Sequence, residues 1–85
     1  MASKELVGKV THYYNKIGVA VVELSGKLKV GDSILIESHD GSSFQQHVES
    51  MQIERINIAE ANSGDSVGLK VSNPVKEGAK VYKIM

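Results

Sequence analysis

Three times in this chain a glycine turn stands directly before a short apolar or alternating run. The turns are Gly31-Asp32-Ser33-Ile34, Gly64-Asp65-Ser66-Val67 and Gly78-Ala79-Lys80-Val81. Glycine reaches positive φ without steric cost, and an aspartate beside it can bond nearby backbone, so each marks a tight reversal that feeds a strand. Their spacing is uneven, so they are recurring turn chemistry and not a solenoid repeat. The segments between them suit strands. Val and Ile together number 18 and Leu and Ala together 10, and stiff β-branched side chains favour a pleated surface over a helix.

The apolar spacing places the strands. Leu6 to Tyr14 and Val19 to Leu24 pair through a turn at Asn15-Lys16-Ile17-Gly18. Lys27-Leu28-Lys29-Val30 alternates with period two, and Ser33 to Glu37 is a short buried strand. Asp40-Gly41 is the strongest hairpin signal, read as a type I′ turn with both residues at positive φ. The return strand runs from about Ser43 to Arg55. Its step from Val48 to Met51 breaks period two and predicts a bulge or strong bend. Ile56 to Ser63 is a longer connection, with one helical turn expected at Ala59-Glu60-Ala61. Val67, Leu69 and Val71 alternate with polar neighbours, and Lys80 to Ile84 is the last strand. Val10, Val19, Val21, Ile34, Ile36, Val48, Met51, Val67, Leu69 and Val81 are the expected core.

Six short strands with almost no helix predict an all-β fold, a small closed six-stranded β-barrel, because closure removes the edges a small open sheet exposes. The 85 residues allow one domain, 1–85, with residues 1–4 expected to be flexible. Net charge is zero, which excludes a strongly basic nucleic-acid binder, but the charges are segregated. Residues 1–31 carry five Lys against two Glu, residues 32–66 one Arg against seven acids, and residues 67–85 four Lys against one Glu. In a barrel the two basic ends can meet and form one patch. With no Cys there is no disulfide, thiolate metal site or Cys nucleophile, which suits a reducing compartment. No apolar run is long enough for a membrane span and no signal peptide is evident, so the cytoplasm is the expected location.

Gly26-Lys27-Leu28-Lys29-Val30-Gly31-Asp32 resembles the second, β-barrel domain of translational GTPases such as elongation factor Tu and initiation factor 2. Gly18-Val19-Ala20-Val21-Val22 is similar to that family's second strand, and Val48-Glu49-Ser50-Met51-Gln52 to the strand before its long loop. Ala59 to Leu69 resembles its A-x-x-G-x-x-V-G-hydrophobic segment, and Val75-Lys76-Glu77-Gly78-Ala79 its final turn. The resemblance covers about Glu5 to Ile84 in order. There is no G-x-x-x-x-G-K-[ST] phosphate loop, so the resemblance implies a freestanding second domain that binds no GTP. In that family the barrel contacts the aminoacylated end of tRNA or ribosomal RNA near its first turn. The resemblance therefore implies an RNA site at Tyr14, Asn15, Lys16, Ile17, Gly18, Val19 and Ala20.

The residues themselves offer a ring, a cation and an approachable backbone there, as stacking of a base requires. The plainer reading is that one of Tyr13 and Tyr14 packs in the core and the other covers a neighbouring strand. His12, His39 and His47 lack metal-ligand spacing, and Ser residues lack a nucleophile elbow, so no metal, cofactor or catalytic residue is expected and the chain is not read as an enzyme. The expected function is a non-catalytic module that engages RNA or a ribonucleoprotein. The alternative is an adaptor that docks onto a separate protein chain.

Overall fold

The longest β-rich stretch of the sequence becomes the middle of the sheet. In a computed structural model describing residues 3–84, β1 (Lys4–Tyr14) lies between β10 (Lys80–Ile84) and β2 (Val19–Leu24). Every pairing is antiparallel, and the described residues contain no helix. The other strands are β3 (Leu28–Lys29), β4 (Ser33–Glu37), β5 (Ser43–His47), β6 (Met51–Ile53), β7 (Ile56–Ile58), β8 (Glu60–Ala61) and β9 (Ser66–Lys70). The main sheet runs β5-β4-β10-β1-β2-β9-β6-β7, and β3 pairs with β8 apart from it. Lys4, the last of the residues expected to be flexible, pairs with Ile84; Met1 and Ala2 lie outside the described residues.

Two irregularities bend β1. Its register against β10 shifts between Leu6 and Gly8, and against β2 between Val10 and His12. Each leaves an extra residue on β1, which increases local twist and coils the sheet around its apolar face. Inside the curve lie Val7, Val10, Val22, Leu24, Leu28, Ile34, Ile36, Met51, Leu69 and Val81, with no buried polar or charged residue among those described.

Val19 and Val21 were expected in the core but are only half-buried, and Ala20, Val22 and Leu24 point inward instead. In a run of four apolar residues either alternate set could face the core. Pairing with β9 decides it, because Ala20 opposes buried Leu69 and Val22 opposes buried Val67.

The expected closed barrel is not formed. The ladder stops at β5 on one side and β7 on the other. The stretch read as one strand from Ser43 to Arg55 breaks at residues 48–50, so β5 stays on β4 while β6 pairs with β9 and β7. Val48 holds the break: its N–H donates to Asp32 O (2.9 Å) and its carbonyl accepts from Gly31 N–H (2.9 Å). A side chain spans the gap where a ladder is missing. The Gln46 amide donates to Lys70 O (2.8 Å) and accepts from Ser72 N–H (2.8 Å), joining β5 to the end of β9.

The turns divide by chemistry. Lys29 to Asp32, Asn62 to Asp65 and Lys76 to Ala79 each close with the fourth N–H bonded to the first carbonyl at 3.1 Å, with glycine third at φ +97°, +94° and +90°. This is the type II arrangement. Asp32 and Asp65 also accept the N–H of Lys29 and Asn62, each at 2.9 Å, so two of the three turns are tied twice.

At Asp40-Gly41 only Gly41 has positive φ (+89°), so this is no type I′ turn. Gly41 N–H bonds Ser38 O and Ser38 N–H bonds Ser42 O, a three-residue loop ending in a left-handed glycine. Positive φ at two successive residues occurs instead at Glu54 (51°) and Arg55 (66°), between β6 and β7. No helical turn forms at Ala59-Glu60-Ala61. Ala61 is buried opposite Leu28, and that contact draws the segment out into β8.

Two stability changes are expected. No heavy atom lies within 4 Å of a Cβ built on Gly64, so Gly64→Val meets backbone strain alone and should cost about 1–2 kcal/mol in chemical denaturation. Replacing Glu54-Arg55 by Asn-Gly relieves two strained residues and should raise stability by roughly 1 kcal/mol or more. An unchanged denaturation midpoint would contradict the turn geometry in either case.

Candidate binding surface at the first turn

The β1–β2 turn is a fixed platform. Gly18 N–H donates to Tyr14 O (2.9 Å), and Gly18 takes φ +65°, which closes the turn. Val71 N–H donates to Gly18 O (2.9 Å) and Lys70 Nζ to Ile17 O (3.3 Å), so the end of β9 and the residue after it brace the turn from outside. On this brace Tyr14 is 51% and Ile17 60% exposed. The His12 ring lies 6.0 Å from the Tyr14 ring, tilted by 39°, and His12 Nδ1 is 3.0 Å from Glu77 Oε2. Tyr13, the neighbour in sequence, packs against the core.

Of the residues singled out from sequence, Tyr14, Asn15, Lys16 and Ile17 are exposed together on the turn. Gly18 and Val19 are half-buried. Ala20 is fully buried and can touch no partner. The surface is an exposed ring and an exposed aliphatic chain edged by cations, a composition suited to the side chains of another polypeptide. Among the described residues no three His, Cys, Asp or Glu side chains are grouped to hold a metal.

Four of the nine lysines of the expected basic patch are taken up in ion pairs. Lys4 pairs with Glu37 (3.7 Å), Lys27 with Glu60 (3.4 Å), Lys76 with Asp40 (3.7 Å) and Lys83 with Asp32 (3.6 Å). Each pair joins a basic end to the acidic middle. Asp40 is held most firmly: Ser42 donates to its carboxylate through Oγ (2.6 Å) and N–H (2.9 Å), with Lys76 beside it. These hydrogen bonds, and then the nearby ammonium, hold its pKa below the ordinary aspartate value. A carboxyl lowered on folding stabilises the fold above its unfolded pKa, and that contribution is lost as pH falls through the folded value. A two-dimensional NMR titration should therefore show Asp40 titrating below an ordinary aspartate, and Asp40→Asn should flatten the acid limb of the stability curve slightly.

Comparison with known proteins places this platform in a different setting from the one expected. No family model matches the chain. It is 40% identical over 76 residues to an uncharacterized protease of Methanocaldococcus jannaschii, covering 89% of this chain and 19% of that protein. It is 32% identical over 81 residues to a collagenase of Porphyromonas gingivalis, covering 94% of this chain and 22% of that protein. The chain thus spans about a fifth of the length of these curated relatives. Its fold is that of the C-terminal domain of a Geobacillus thermoleovorans protein described as a U32 peptidase: TM-score 0.87, 23% identity, covering 93% of this chain and 91% of that one. The selenomethionine variant of the same domain gives a TM-score of 0.86.

These matches overturn the resemblance to translational GTPases, and with it the RNA-binding translation module and the reading of a chain unconnected with enzymes. The misleading segment was Ala59 to Leu69. Its Gly64-Asp65 is a type II turn with a carboxylate tie, which any small wrapped sheet can use. Such a motif reports backbone geometry and does not distinguish one family from another. Nothing in the chain's composition or spacing points to a peptidase.

Proposed function

We propose that this chain acts as a domain of a U32-type peptidase and holds a protein substrate through the platform of Tyr14 and Ile17. The observation that carries the reading is the match of 89–94% of the chain to parts of proteins named protease and collagenase. The exposed ring and aliphatic chain on a braced turn give that reading a surface. Rigid aromatic side chains lose little entropy on binding and dominate polypeptide interfaces. The relative named a collagenase suggests collagen as the first substrate to test. The chain works as one domain, 1–85.

The test is binding of the chain to immobilised native and heat-denatured collagen by surface plasmon resonance. Tyr14→Ser with Ile17→Ser should weaken binding about tenfold or more, the loss expected of a pair of central contacts, while the circular dichroism spectrum is unchanged. Equal binding by parent and variant, or no binding to either form, would overturn the proposal.

A further inference from the structure

Five lysines of the basic ends make no ion pair with the acidic middle among the described residues, and two of them, Lys9 and Lys80, meet across the sheet. Lys9 on β1 lies directly opposite Lys80 on β10, and on its other side directly opposite Glu23 on β2. Like charges at opposed positions of an antiparallel pair repel. Neither lysine, nor Glu23, makes an ion pair among the described residues. All three line an open groove of about 350 Å³ over β10, β1 and β2, together with Leu6, Leu24 and Ser25. That volume lies within the range of small-ligand sites, about 300–1,000 Å³. The groove forms at the first irregularity of β1, where Leu6 is left 47% exposed.

We propose that this groove binds the C-terminal residue of a peptide, with its carboxylate between Lys9 and Lys80 and its apolar side chain against Leu6. Charge selects the ligand. Glu37 stands opposite Lys80 on β4 but is paired with Lys4 (3.7 Å), so the two lysines and one glutamate of the lining leave one positive charge, which matches a carboxylate and not a doubly charged phosphate. Lysine holds such an anion as a point charge, without the bidentate geometry of arginine. The apolar wall favours a ligand with a hydrocarbon arm over a bare ion. The inference rests on the peptide-binding reading above and deepens it, since chain ends are what a peptidase creates.

The experiment titrates the ¹⁵N-labelled chain with N-acetyl-leucyl-leucine as the free acid, with the same peptide as its amide, and with inorganic phosphate. The free acid should shift Leu6, Lys9, Ser25 and Lys80, and the amide should bind about tenfold more weakly for loss of the charge-assisted contact. Lys9→Gln and Lys80→Gln should each remove that preference for the acid. Lys80→Gln should also melt no lower than the parent without ligand, because a repulsive pair is relieved. Equal affinity for acid and amide, phosphate binding as tightly as the acid, or shifts at Tyr14 to Gly18 instead would each overturn the groove assignment. Collagen binding that still depends on Tyr14 and Ile17 would show that only the groove assignment had failed. An acid-selective groove without collagen binding would refute the platform alone.

Discussion

The fold depends on β1 being able to bend twice. An unbroken eleven-residue strand between β10 and β2 would carry a flatter sheet, with too little curvature to enclose a core in a chain this small. The extra residues at the two register shifts supply the curvature, and Gly8 supplies the clearance. A Cβ there would come within 2.6 Å of Val22 Cγ1 and 3.0 Å of Glu23 O, so the close approach of β1 to β2 requires glycine. The same bend leaves Leu6 outside and opens the groove beside it. Core formation and the groove therefore share one cause.

The break at residues 48–50 completes the wrap by a different route. Val48 is buried while its N–H and carbonyl bond to the turn before β4, so the bend is anchored from both backbone and side chain. With β5 and β6 on different neighbours, the sheet has two ends, and the Gln46 amide joins β5 to the chain leaving β9. A side-chain amide offers one donor and one acceptor group, as a peptide unit does, so it can replace a short stretch of ladder. That substitution is available only because β5 and residues 70–72 come within one side chain's reach.

Charge segregation along the chain acts mainly to connect distant segments. Four lysines from the basic ends sit beside carboxylates from the acidic middle, all at or near the surface, where each pair contributes at most about 1 kcal/mol. Their value is in register more than in energy, since each joins segments far apart in sequence. The platform at the first turn stands apart from this network, and its exposed Tyr14 and Ile17 are held by a backbone bond from Val71 and a side-chain bond from Lys70 at the end of β9.

Residue order by itself determined β1, β2, β4, β9 and β10, most turn positions and eight of the ten core positions it named. Local rules suffice for these: glycine at positive φ, β-branched runs, and period-two alternation at Ile34 and Ile36 or Val67 and Leu69. It also placed the exposed Tyr14-to-Ile17 turn. It could not choose between the two faces of Val19 to Val22, because both are apolar and only the opposing β9 residues decide. It could not show that Glu54 and Arg55, with no glycine to announce them, take positive φ, nor that Ala61 would be drawn into β8 by Leu28. The lysine pair of the groove was equally hidden. Lys9 and Lys80 stand 71 positions apart in the sequence and meet only because β1 and β10 are neighbours in the register the folded sheet adopts.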